Sequence, residues 1–224
     1  MISCVNLTKK YLENNKNEIT VIDNISLTIK TGEFLIITGP SGSGKTTFLY
    51  LLSGLETPSI GNVYFNKQDI NEMSNKQKWQ FRQNEIGFVF QNYHLIPTLN
   101  VFDNVCLPLL IKNEKIDIEK VNRILSLTKI LDKAKSYPEQ LSGGMQQRVA
   151  IARSLIHEPK VVFGDEPTGN LDKNKAEEIM QLFKKINQEL KTTIVLVTHN
   201  LNHLTYATRI IELANARIIK DVRV

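Results

Sequence analysis

The sequence predicts an α/β fold in which a mostly parallel sheet carries a phosphate-binding loop, with antiparallel strands before it and helices inserted in its middle. Three observations predict it. The apolar run Glu33 to Ile37 leads directly into Gly39-Pro40-Ser41-Gly42-Ser43-Gly44-Lys45-Thr46 and then into the helix-like Thr47 to Leu52, the strand, loop and helix context that such a loop requires. Two later apolar runs, Val161 to Phe163 and Thr193 to Val197, are strand-length and end on Asp165-Glu166 and Thr198-His199, as buried parallel strands do at a functional edge. Between Lys67 and Glu139 the pattern turns largely helical.

Taken in order, Ser3 to Leu7, Thr20 to Ile22, Ser26 to Ile29 and Gly61 to Phe65 alternate as antiparallel strands do, and they flank the first core strand. Helices are expected over Lys76 to Arg82, Val101 to Ile111 and Ile118 to Ile130, joined by Asn- and Lys-rich links, with the strand Ile86 to Phe90 among them. Beyond Ser142, a helix over Met145 to Ile156 opens an alternation of helix and strand. Arg209 to Leu213 and Ala216 to Ile219 close it as a hairpin. The expected organisation is a single domain over residues 1–224: 1–90 and 140–224 form a P-loop NTPase core with its β subdomain, and 91–139 approximate an inserted helical subdomain.

The chemistry of the loop follows from its residue types. Gly39, Gly42 and Gly44 let the backbone curl until successive N–H groups point at phosphate oxygens, and the helix N-terminus adds its positive end. With them, Pro40, Ser41 and Ser43 complete the cradle. Lys45 supplies a charge to the terminal phosphates, the Thr46 hydroxyl suits a Mg2+ ligand, and Thr47 suits the α-phosphate. Asp165, at the carboxyl end of its strand, is placed to reach the same cation through water. Glu166 is the candidate general base for the water that attacks the γ-phosphate.

A second anion-binding arrangement stands downstream in Leu141-Ser142-Gly143-Gly144-Met145-Gln146-Gln147-Arg148. A hydroxyl, two permissive backbones and a helix start form an anion site, although Ser142 read as structure alone is simply an N-cap. Together the phosphate loop, this motif, the acidic strand end and Thr198-His199 resemble the ATP-binding subunit of ABC transporters over nearly the whole chain. The resemblance implies the ABC ATPase fold, with ATP and Mg2+ as cofactors. It also implies a homodimer formed head to tail on ATP binding, in which Ser142, Gly143 and Gly144 close over the γ-phosphate held by the partner. An integral membrane permease is the further implied partner.

Four more positions follow from the same resemblance. Gln91 matches the glutamine that contacts Mg2+ or the attacking water, and Asp172 the loop crossing the dimer interface. His199 matches the histidine that bonds the γ-phosphate and holds Glu166. Tyr11 resembles the aromatic that stacks on adenine, although an isolated Tyr near a β-rich N-terminus is as often a core or rim residue. The stretch from Phe90 to Leu109 and Asp165 to Asp172 is similar to the branch holding macrolide-exporter (MacB), lipoprotein-release (LolD) and cell-division (FtsE) ATPases. In that family the region docks the permease, so Leu95, Ile96, Leu99 and Phe102 are candidates for lining a docking pocket, with ordinary packing of the helical segment as the equal alternative. Export or extrusion is the leading reading. A regulator of transmembrane signalling or division that transports nothing is the alternative.

Composition sets the outer bounds. The 224 residues, 42% hydrophobic and 23% charged, suffice for one real core. No apolar run approaches the roughly 18 residues of a membrane span, and Met1-Ile2-Ser3 opens no secretion signal, so the expected location is cytoplasmic and peripheral on the inner face of the membrane. A net charge of +5 is spread along the chain, apart from pairs such as Lys9-Lys10 and Lys184-Lys185, and no nucleic-acid partner is expected. His94, His157 and His203 have no metal-ligand spacing and read as surface or capping residues, and Cys4 and Cys106 as free thiols in a reducing compartment.

Overall fold

A computed structural model describes residues 1–13 and 17–224. It contains two sheets. The smaller is antiparallel and is built by β1 (Ile2–Glu13), β2 (Asn17–Ile29), β4 (Ile60–Phe65) and β5 (Gln68–Asp69), in the order β2-β1-β4-β5. The larger has the order β10-β9-β3-β8-β7-β6, from β3 (Phe34–Thr38), β6 (Ile86–Phe90), β7 (Val161–Asp165), β8 (Thr193–Val197), β9 (Arg209–Ala214) and β10 (Arg217–Arg223). All its pairings are parallel except the closing hairpin β9–β10.

The central strands are apolar throughout because both faces are covered. Phe34, Ile36, Val162, Ile194 and Leu196 point to one side, where they join a core with α3 (Val101–Ile111), α4 (Ile118–Leu127), α5 (Gly143–Leu155) and α6 (Lys173–Leu190). Leu35, Ile37, Phe163, Val195 and Val197 point to the other, against α1 (Lys45–Leu52), Phe81 of α2 (Asn75–Glu85) and the antiparallel sheet. The period of two along each strand thus divides the interior into two cores.

Element types agree with the sequence, while several boundaries move for identifiable reasons. The first two strands run far beyond 3–7, 20–22 and 26–29. Asn6 and Asn24, at φ 50° each, absorb the irregularities in register, and their amides are taken up by Ser26 Oγ at 2.9 Å and Thr8 Oγ1 at 3.0 Å. Ser74 and Gln77 form a capping box that extends α2 to Asn75–Glu85, beyond the expected 76–82. In α4 the helix stops at Leu127 rather than continuing to Ile130: Lys129 turns left-handed at φ 56°, Ile130 N–H reaches back to Leu125 O at 2.9 Å, and Thr128 Oγ1 to Ile124 O at 2.9 Å. The last hairpin turns through Asn215 and Ala216, both at positive φ, and β10 continues to Arg223 rather than ending at 219, held by a bidentate pair of Arg209 with Asp221.

Candidate functional site

The phosphate loop follows β3. At Gly39, φ +143°, a Cβ would lie 2.1 Å from the carbonyl oxygen of Leu213 on β9, and at Gly44, φ +90°, 2.5 Å from that of Val21 on β2. The loop is therefore wedged between two strands where only glycine fits. Lys45 is buried and donates to Pro40 O at 2.8 Å, while Ser43 Oγ is buried without a partner. An orphaned hydroxyl in such a cradle suits an oxygen-rich anion. Pro40, Ser41, Gly42 and Ser43, with Val21 and Asn215, line an open cleft of about 450 Å3. Ile19 also lines it and is the cross-strand partner of Tyr11, whose ring is 41% exposed with Lys9 Nζ 4.9 Å from its centroid. A larger cavity of about 570 Å3 lies between α4 and α6, among Glu119, Arg123, Lys185 and Glu189, away from this chemistry.

The parallel order β3-β8-β7-β6 then delivers the remaining groups to the same edge. Thr46 Oγ1 donates to Asp165 Oδ1 at 2.8 Å, joining the loop to the end of β7. The Tyr50 hydroxyl takes the other oxygen, Oδ2, at 3.1 Å, and burial, together with the carboxylate, pushes its pKa up to about 12. Glu166 sits at φ 46°, a left-handed conformation uncommon outside glycine. Its N–H is taken by Val197 O at 3.1 Å, Oε1 lies 2.9 Å from His199 Nδ1, and Oε2 is buried with no partner. Because the carboxylate can only accept, the His199 proton is on Nδ1 in this contact. The ring itself is 71% exposed. Thr47 lies half-buried at the start of α1.

Gln91 is turned to a neighbouring loop. Its Nε2 donates to Asn170 Oδ1 at 3.1 Å, and Asn170 Nδ2 returns to Gln91 O at 3.1 Å and Asn92 Oδ1 at 3.0 Å. Among the described residues no hydrogen bond joins Gln91 to Thr46 or Asp165. Asp172 caps α6 through Lys175 N–H at 3.0 Å and pairs with Lys175 Nζ at 2.8 Å, and the Lys175 ammonium holds its carboxyl below the usual range. Ser142 caps α5, accepting from Met145 N–H at 3.4 Å. A Cβ on Gly143 or Gly144 would meet Tyr93, Leu171 and Lys175 rather than the 39–47 loop.

Two participants escaped the sequence reading. Tyr50 had a signal, because it stands four residues after Thr46 and so shares its face of α1. Arg153 had none: it reaches from α5 to the carbonyls of Tyr93 at 2.7 Å and His94 at 2.6 Å, tying the helix that starts at Ser142 to the loop that starts at Gln91. Leu95 and Phe102 pack on the helical core, with Ile96 and Leu99 half-buried beside buried Asn104, which bonds both Ile96 and Leu99. One expectation is corrected. His203 is no surface residue but 2% exposed, with both ring nitrogens engaged beneath the turn after His199, and His157 is half-buried with Nε2 on Ile86 O at 2.9 Å.

The family model described as ABC transporter matches residues 22–169. The chain is 43% identical to a lipoprotein-releasing system ATP-binding protein LolD 1 of Chlorobium chlorochromatii, over 90% of this chain and 83% of that one. It is 40% identical to an uncharacterized ABC transporter ATP-binding protein, MJ1508, of Methanocaldococcus jannaschii, over 99% of each. Among solved structures it is similar to the dimeric post-hydrolysis state of the ATP-binding cassette MJ0796 bound to ADP and Pi, at 39% identity and a TM-score of 0.90, covering 100% of this chain and 98% of that one. With a family match over most of its length and relatives at 40% identity or more along nearly all of it, the chain belongs to the ABC transporter family as an ATP-binding, ATP-hydrolysing subunit.

Proposed function

We propose that the chain drives a membrane export or extrusion complex of the lipoprotein-release type, with two copies closing head to tail over two ATP molecules. What supports this reading is that two anion-binding features stand in one chain: the 39–47 cradle with its Asp165 and Glu166, and the Ser142-Gly143-Gly144 helix start, where the atoms nearest a Cβ built on either glycine belong to Tyr93, Leu171 and Lys175. A two-fold pair joins each cradle to the other copy's helix start. The relatives named for lipoprotein release, at 39–43% identity, support the branch.

In this reading Lys45 leaves Pro40 O for the terminal phosphates, and the backbone amides of the loop orient the γ-phosphate for in-line attack. Glu166 takes the proton of the attacking water, its unpartnered Oε2 being the free acceptor and His199 steadying Oε1. Thr46 and Asp165, already 2.8 Å apart, are the oxygen donors that fit Mg2+, with Gln91 able to join once released from Asn170. That cation would supply charge neutralisation at the transferred phosphate. Tyr11, exposed and paired across the strands with Ile19 of the cleft wall, is the aromatic available to stack on the base. Asp172 faces the partner across the interface. Residues 91–139 form the subdomain that docks a permease, with Arg153 relaying its movement to α5.

Two experiments test this. Glu166→Gln should bind ATP but hydrolyse it roughly 10²-fold or more slowly and accumulate as a dimer by light scattering; normal turnover by that variant removes the base assignment. Tagged protein taken from detergent-solubilised membranes should carry a permease with it. Recovery with division proteins or a sensor kinase instead would replace export by regulation.

A further inference from the structure

His203 belongs to none of the motifs that define the site, yet it is the most constrained imidazole in the chain. It lies on the short 3-10 helix Leu201–Tyr206 that follows β8, 2% exposed. Its Nδ1 is 3.3 Å from Thr198 Oγ1 and its Nε2 is 3.2 Å from Asn200 Nδ2. The orientation of Asn200 is fixed independently, because its Oδ1 accepts the N–H of Asn202 at 3.0 Å, which turns the NH2 group toward the ring. An amide NH2 can only donate, so Nε2 is the bare nitrogen and the proton resides on Nδ1, from which it is given to Thr198 Oγ1. That oxygen also accepts the Asn200 N–H at 3.1 Å. The residues immediately before and after His199 are thus both tied to one buried ring, whereas the His199 side chain is itself 71% exposed, with its Nδ1 on Glu166 Oε1.

We propose that His203 is a positioning residue for His199: a neutral imidazole, protonated on Nδ1, that fixes the chain on either side of His199 and so sets where its ring meets Glu166 and the γ-phosphate. The inference rests on the reading of His199 as a γ-phosphate ligand. A second proton on Nε2 would set a donor against the Asn200 amide and undo the arrangement. Burial favours the neutral ring, and the nearby proton of His199 acts in the same sense. Glu177 of α6, which also receives the Tyr206 hydroxyl, opposes them as the facing anion, with Lys184 of α6 over the Tyr206 ring. The packed strand β3 presents no charged side chain.

The test is a double-mutant cycle in MgATP turnover of the full chain, with His203→Phe, His203→Asn, His199→Ala and the pair His199→Ala/His203→Phe. His203→Phe is expected to lower kcat about tenfold while KM stays within about twofold. His203→Asn, whose amide can keep the donor to Thr198, should recover part of that loss. In the His199→Ala background His203→Phe should cost nothing further, since its route of action is gone. Losses that multiply, or an unchanged kcat in His203→Phe, overturn the positioning role and leave the reading of His199 standing. Full turnover by His199→Ala removes that reading itself and the proposal with it. A measurement free of any folding defect is 15N imidazole NMR of the unmutated protein: Nδ1 protonated and Nε2 bare is expected at pH 7 and should persist to lower pH than in a free histidine, and an Nε2–H tautomer or an imidazolium at pH 7 overturns the proposal.

Discussion

Glu166 and Lys45 carry the proposed chemistry, the first as the base for the attacking water and the second as the charge on the terminal phosphates. Both proposed roles rest on residue type at a motif position, and the structure adds what sequence does not carry: the left-handed backbone of Glu166, the His199 contact on one oxygen and the burial of the other without a partner. Lys45→Ala should weaken ATP binding by removing the only cation in the cradle sequence, measured by calorimetric titration, with unchanged affinity contradicting its role. Tyr50 was legible only by helix spacing. Phe at that position deletes one hydrogen bond to Asp165 while leaving the edge contact with Phe88 at 5.7 Å, so stability should fall by about 1 kcal/mol. A chemical-denaturation midpoint equal to the unmutated one would show that the hydroxyl contributes nothing. His203 was misread because an isolated imidazole in sequence carries no trace of the turn that will bury it.

Elements were legible by type and less so by extent. Helix and strand periods located the core, but the ends are set by local bonds that composition does not advertise, such as the left-handed Lys129 that closes α4 and the positive-φ asparagines that let β1 and β2 run on. The wedge of the phosphate loop between β9 and β2 brings Gly39 against Leu213, far along the chain, as well as Gly44 against the nearer Val21, and no periodicity reveals it. Gly39→Ala would drive a Cβ into the Leu213 carbonyl, 2.1 Å away, and should destabilise the fold by more than about 3 kcal/mol, read as a lowered denaturation midpoint. Cys4 on β1 and Cys106 on α3 are buried, which pushes their thiols up to about 12 and about 11. Both should resist thiol reagents in the native protein and react on unfolding.

At the scale of the molecule, two imidazoles contribute to the response to mild acid. Burial lowers the pKa of His157 and His203 in the folded state. The folded protein therefore binds fewer protons than the unfolded chain, so its stability is full above the free-histidine pKa of about 6.5 and declines as pH falls through the lowered values. Melting temperatures recorded from pH 8 to pH 5 should fall on the acid side, with the decline reduced when His157 is replaced by Gln. The pairing of two copies is the statement on which the mechanism turns, because it makes each ATP site from parts of both chains. It is tested most directly by mixing two inactive single variants, Lys45→Ala, which breaks the cradle, and Ser142→Asp, which keeps the cap of α5 but sets a negative charge against the γ-phosphate. In a mixed dimer both lesions fall in one site and the other site is whole. ATP turnover in the equimolar mixture should therefore rise to on the order of a quarter of the unmutated rate, whereas a mixture no more active than its components would contradict sites shared between the chains.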